Sequence, residues 1–265
     1  MKLSYTTLGC PDWTWERIVD EASRLGYDGV ELRGIAGELR LGRCEALREE
    51  RLEASLAYAR ERGIAICCLD TSCAFHDEER FDEAIEEGME TIDLAVRMGV
   101  ASIRVFGDSI ADNRREQEIV ARVAYGLQTL GDYAEGKAVQ VLFETHGDFS
   151  SSDRVQEVLR QTSSPAIGVI WDIHHTIKYG GHESPAETWR KLGGYIRHTH
   201  VKDALGARPV LLGEGDLPLP EWIALLHEVG YNGWLSFEWE KHWHPEIEEP
   251  ELALPAFMDY IRRFL

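Results

Sequence analysis

Four acid or imidazole residues close four successive short apolar runs in the second half of the 265-residue chain. They are Glu144 in Val-Leu-Phe-Glu-Thr-His, Asp172 in Val-Ile-Trp-Asp-Ile-His-His, His200 in His-Thr-His-Val-Lys-Asp, and Glu238 in Leu-Ser-Phe-Glu-Trp-Glu. Each precedes a polar or turn-forming stretch. If the runs are parallel strands lying side by side, the four side chains converge at one rim. Three carboxylates supply hard oxygen donors, and an imidazole shifts preference from calcium towards first-row transition ions. That set suits one divalent cation, Mn²⁺ ahead of Co²⁺, Mg²⁺ or Zn²⁺, with a coordination position left for substrate or water. Three anionic ligands and a dication leave about one net negative charge.

Periodicity alone leaves the ligand set open. A strand presents every second residue on one face, so Glu144 pairs with His146, His198 with His200, and Glu238 with Glu240.

To bring these residues together the chain must alternate strands and helices. Strands are expected at Leu3–Thr7, Gly29–Arg33, Ile64–Asp70, Ser102–Phe106, Val139–Glu144, Ile167–Asp172, Ile196–Val201 and Trp234–Glu238. Their starts recur at roughly 25 to 40 residues, which fits βα units with right-handed crossovers. Apolar stripes run between them: Ile18, Ala22 and Leu25, then Ile85, Met89 and Ile92 opposite Glu83, Glu86, Glu87 and Glu90. Leu25-Gly-Tyr-Asp-Gly-Val-Glu-Leu is echoed by Val229-Gly-Tyr-Asn-Gly-Trp-Leu-Ser-Phe-Glu, in which glycine caps a helix and Asx-Gly turns into a strand. Eight such units without a proline-rich linker predict an α/β fold, a single closed (β/α)8 TIM barrel spanning residues 1–265. Its active site is expected at the carboxyl ends of the strands. A doubly wound sheet is the runner-up, but no Gly-x-Gly-x-x-Gly follows the first strand and no Gly-Lys-[Ser/Thr] loop occurs.

A formal charge of −19 repels phosphate backbones, and no Lys/Arg cluster builds a basic groove. The odd count of five cysteines, without Cys-x-x-Cys, reads as buried reduced thiols. No stretch approaches a membrane span and no signal-peptide core follows Met1, so a cytoplasmic location, no membrane and no nucleic-acid partner are expected.

Phe-Glu-Thr-His, Trp-Asp-x-x-His, His-x-His-Val-Lys-Asp, Gly-Glu-Gly-Asp and Ser-Phe-Glu together resemble the xylose-isomerase-like barrels, from the Gly-Tyr-Asp-Gly-Val-Glu-Leu-Arg segment to the final helix. That family includes sugar and sugar-phosphate isomerases and epimerases, inosose dehydratase and hydroxypyruvate isomerase. The resemblance implies Glu144, Asp172, His200 and Glu238 as metal ligands, His200 being chosen because it directly precedes Val-Lys-Asp. It implies Glu144 and Glu238 as an acid/base pair acting on a small sugar or keto-sugar through a metal-stabilised enediolate. It further suggests His146, His175 and Lys202 as substrate contacts, with His175 starting the loop after its strand, and it allows a homo-oligomer. Epimerisation, aldose–ketose isomerisation and dehydration share the first proton abstraction, so a lyase acting on an inosose or keto-sugar is the alternative. His242 and His244 are expected in a pocket wall or in aromatic loop packing. A non-catalytic sugar-binding protein ranks lower, as does an abasic-site endonuclease. For the latter, the third strand end (Asp70-Thr-Ser-Cys) and the fourth (Phe106-Gly-Asp) lack the histidines that branch carries, and Arg208-Pro-Val-Leu-Leu-Gly-Glu-Gly-Asp replaces its Asp-x-His.

Overall fold

The structure, a computed structural model, describes residues 1–110 and 113–265. Its strands are β1 Lys2–Thr6, β2 Gly29–Leu32, β3 Ala65–Ala74, β4 Ser102–Phe106, β5 Gln140–Glu144, β6 Ile167–Asp172, β7 Ile196–Val201, β8 Asp203–Leu205, β9 Arg208–Val210 and β10 Trp234–Phe237. The helices are α1 Trp15–Leu25, α2 Glu49–Glu61, α3 Phe81–Met98, α4 Glu116–Ala134, α5 Ser152–Leu159, α6 Ile173–Lys178, α7 Pro185–Leu192, α8 Leu219–Glu228 and α9 Pro250–Ile261. Eight strands close into a barrel in the order β1-β10-β7-β6-β5-β4-β3-β2, and β8 and β9 form a separate antiparallel hairpin. The (β/α)8 fold class expected from the sequence is the one observed.

Packing gathers the chain into two compact units, residues 1–69 with 199–265 and residues 70–198, divided inside β3 and β7. In the first unit, Thr14 caps α1 by accepting the Arg17 N–H, and Gly26 ends it at φ 80°. Gly230 repeats that left-handed conformation at φ 70°, so the two halves of the Gly-Tyr-Asx-Gly echo turn alike. Tyr5, Tyr27, Phe237 and Phe257 form a buried aromatic cluster, with Tyr27 and Phe257 stacked at 5.8 Å and Phe237 and Phe257 at 4.8 Å. The Tyr5 and Tyr27 hydroxyls donate to the Ile18 and Leu254 carbonyls, satisfying their buried polar tips.

In the second unit α3 and α4 meet through a glycine. A Cβ on Gly88 would collide with Leu130, so the close approach requires glycine there. The expected Ile85/Met89/Ile92 stripe is therefore displaced. Ala84, Gly88, Thr91, Ile92 and Ala95 are buried, while Ile85 and Met89 are half-buried. No described helix is long and apolar enough to cross a membrane.

Candidate metal centre

Glu144 is the last residue of β5, in register with Phe106 on β4, and Asp172 is the last residue of β6. His200 lies near the end of β7, and Ser236 on β10 is its register partner. Glu238 stands one residue beyond β10, where its N–H donates to the Val201 carbonyl at 3.0 Å. All four side chains are buried. Each offers a ligand atom, and these atoms lie within 4.8 Å of one another. His198 shares the inward parity of His200 but groups with Glu31 and Cys67.

The donor set fits a divalent cation. Three carboxylates packed so closely repel one another and have lost their water, and a bound cation is the ordinary compensation. The imidazole is oriented to join them. Glu31 Oε1 lies 3.0 Å from His200 Nε2, and a carboxylate only accepts, so Nε2 bears the hydrogen. With that tautomer Nδ1, 3.5 Å from Glu238 Oε1, is the candidate ligand atom. A carboxylate behind a metal-binding histidine fixes both ring orientation and tautomer.

Each glutamate has a buried cation of its own. In the second unit, Arg104 Nη1 donates to Glu144 Oε2 at 2.9 Å, its Nε lies 3.7 Å from Asp70 Oδ1, and the guanidinium sits over the Phe106 ring. In the first unit, Lys202 Nζ donates to Glu238 Oε2 at 2.6 Å and to Glu240 Oε1 at 3.2 Å. Lys202 thus sits on a candidate ligand carboxylate, and Glu240, the alternative to Glu238 by periodicity, also accepts from that lysine. Asp203 follows with a knot of backbone donors. Its two oxygens accept from the N–H groups of Ala204, Gly213, Gly215 and Leu217 at 2.9 to 3.4 Å.

His146 and His175 stack at 4.4 Å between ring centroids. His175 does not start a loop, as the sequence reading expected. Ile173–Lys178 is a short helix capped by Asp172, whose Oδ1 accepts the His175 N–H at 3.0 Å. An aspartate directly before a helix, its carboxylate accepting the N–H three residues on, is a natural N-cap, and that local signal outweighs the strand ending there. Asp108 faces the pair, and its carboxyl is held below the usual range by His146, with smaller help from His76 and His175. His242 borders an open cavity beside Trp13 and Lys241 and packs edge-on against Trp243.

Glu31, Asp70, Arg104 and Asp108 were missed by the sequence reading. Glu31 carried a signal in the repeated Gly-Tyr-Asx-Gly segment, which launches a strand towards a glutamate in both copies. Arg104 is a charge amid Ser-Ile-Arg-Val-Phe, at a position whose neighbours are core. Nothing local marks Asp108.

Fructoselysine 3-epimerase of Shigella flexneri is 26% identical over 282 residues, covering 100% of this chain and 98% of that protein. Inosose dehydratase of Clostridium beijerinckii is 26% identical over 156 residues, about half of each chain at 51%. The crystal structure of the IolI protein with a bound zinc atom has a TM-score of 0.82 at 18% identity, covering 100% of this chain and 99% of that one, a likeness of fold. With the xylose isomerase-like TIM barrel profile matching residues 19–264, the chain belongs to that family.

Proposed function

We propose that the protein is a divalent-metal-dependent isomerase or epimerase of a small sugar or keto-sugar. The observation that carries the reading is the buried grouping of Glu144, Asp172, His200 and Glu238 within 4.8 Å. Those four residues would hold the ion, with Mn²⁺ our first expectation from the oxygen-rich donor set and Zn²⁺ favoured by the zinc-bearing IolI structure. A bound divalent ion supplies Lewis-acid stabilisation for charge developing on a carbonyl oxygen beside it.

The chain's own residues move the proton. One of Glu144 and Glu238 takes it from the carbon next to the carbonyl, and the other delivers a proton to the opposite face, which inverts that centre. Arg104 and Lys202 hold the two carboxylates in place from behind. Delivery to the neighbouring carbon instead gives an isomer. His146, His175 and Lys202 are the candidate substrate contacts. The resemblance to fructoselysine 3-epimerase over the whole chain supports epimerisation.

Dehydration of an inosose or keto-sugar is the second reading, supported by the similarity to inosose dehydratase over half the chain. It would begin with the same proton abstraction and end with loss of a β-hydroxyl. Incubation of the Mn²⁺-loaded protein with a panel of ketoses and inososes in D₂O tests both. Deuterium on the carbon beside the carbonyl, lost in Glu144→Gln and Glu238→Gln, is the expected result. A water-loss product absorbing in the ultraviolet selects the lyase. No exchange across the panel, with metal bound, refutes both.

A further inference from the structure

One layer of the barrel interior in the first unit is built from small residues. Ser4 on β1 is in register with Gly29 on β2 and with Ser236 on β10, and Ser236 is in turn in register with His200 on β7. The residues that follow the two serines settle which way they face. Tyr5 donates its hydroxyl to the Ile18 carbonyl of α1, and Phe237 stacks on Phe257 of α9, so both rings point out towards the helices. Side chains alternate along a strand, so Ser4 and Ser236 point inward. Barrel interiors are ordinarily filled by bulky branched side chains. Here a glycine and two serines stand side by side and fill far less of the space.

The layer has a floor. Trp234 lies two residues before Ser236 on β10 and shares its inward face. A Cβ on Gly29 would come within 2.8 Å of the Trp234 Cη2, so the indole spans from β10 across β1 to the backbone of β2. Lys2 places its ammonium 5.1 Å from the centroid of that ring. Towards the other end, Thr6 and Glu31 form the register pair two residues further on and continue the polar wall.

Both serines are 0% exposed, and neither hydroxyl has a hydrogen-bond partner among the described residues. An unpaired buried hydroxyl has given up its bonds to water for nothing, and folded proteins keep few of them. Two on adjacent strands, at the same height and on the same face, call for one cause. Neighbouring strands run about 4.8 Å apart, and a hydroxyl–oxygen bond is about 2.7–2.8 Å long. A single oxygen between the two side chains can therefore bond to both. A water is suited to it, since each serine hydroxyl can donate or accept and a water can do either towards each.

We propose that Ser4 and Ser236 bind an internal water between them, a hydration site built into the barrel core above the Trp234 floor, beside His200 and one step below Glu238. The inference does not depend on the carbohydrate reading, because it concerns two hydroxyls that the proposed chemistry does not use.

Oxygen-17 relaxation dispersion of the metal-free protein counts long-lived internal waters without any ion-bound water entering the count. The Ser4→Ala/Ser236→Ala double variant should lose one such water relative to the wild type. Each single variant should melt about 2–4 °C lower, the loss of about one hydrogen bond in a chain near this size. The double variant should fall by less than the two shifts combined, because one water can be lost only once. A crystal structure of the wild type that shows ordered waters should place one within hydrogen-bond distance of both Oγ atoms, a measurement that needs no variant. Equal dispersions in the wild type and the double variant overturn the proposal. Single variants that melt at or above the wild-type temperature, with additive shifts, overturn it as well, since alanine then relieves a dry, unpaired hydroxyl. So does electron density in which both hydroxyls bond to protein groups with no water between them.

Discussion

Replacing Arg104 by methionine isolates the charge it brings to the candidate site. The Arg104 side chain is 7% exposed, between Glu144 at 2.9 Å and Asp70 at 3.7 Å, which are 0% and 1% exposed. Methionine has similar length and no charge, so little cavity is left, but two buried carboxylates lose their counter-charge. Breaking a buried pair in this way costs about 3–5 kcal/mol. At roughly 2–4 °C per kcal/mol for a chain near this size, the metal-free variant should melt about 6–20 °C below the wild type. Arg104→Lys keeps a point charge without the fork and should fall between the two. Saturating Mn²⁺ should return part of the loss, since a ligand at 100 times its dissociation constant adds about 2.7 kcal/mol. Urea and thermal melts with and without the ion measure all of this. If metal-free Arg104→Met lies within about 1 kcal/mol of wild type, a cost typical of an ordinary substitution, the guanidinium is not compensating those carboxylates.

Glu31→Gln should weaken binding of Mn²⁺ by roughly 10- to 100-fold in calorimetry, because the His200 tautomer loses its anchor; unchanged affinity removes Glu31 from the site. Burial pushes the Cys44 thiol up to about 11 and raises Cys10 as well. The native protein at pH 8 should therefore react slowly with a thiol reagent and release its full five equivalents only after unfolding. Because the folded-state pKa of Asp108 is lowered, its contribution to stability is present above the ordinary carboxylate range and is lost as pH falls through the lowered value. The stability gap between wild type and Asp108→Asn should accordingly narrow in urea melts as pH drops from about 6 to below about 4; a gap that widens in acid refutes the assignment.

The four candidate ligands were legible because each sits where a short apolar run stops, and that is local information. β4, β6 and β7 fall where the sequence placed them, since their runs are dense in β-branched or apolar residues. β3 runs on to Ala74 instead of ending at Asp70. Thr71-Ser72-Cys73-Ala74 has weak strand character of its own, and the extension is held from the neighbouring strand, where the Arg104 carbonyl accepts the Thr71 hydroxyl at 2.7 Å and the Phe106 carbonyl accepts the Phe75 N–H. Distance along the chain hid the supporting residues. Arg104 is 40 residues from Glu144 and Glu31 is 169 from His200, so no window of sequence pairs them. The α3 stripe was misread because apolar periodicity counts large side chains, whereas this interface is built on a glycine that admits Leu130.

Asp203 binds the chain on both sides of an excursion, gathering Ala204 at its start and Gly213, Gly215 and Leu217 at its return. A Cβ at Gly215 would strike that carboxylate, so the neck of the excursion admits almost no variation. The tip, by contrast, hangs in solvent with Leu205 exposed and takes no part in the tether. Such an arrangement separates what must be inherited intact from what is free to diverge: insertions at the tip can accumulate without disturbing Lys202 immediately upstream, and a graft between relatives should succeed when the aspartate and its glycines travel together.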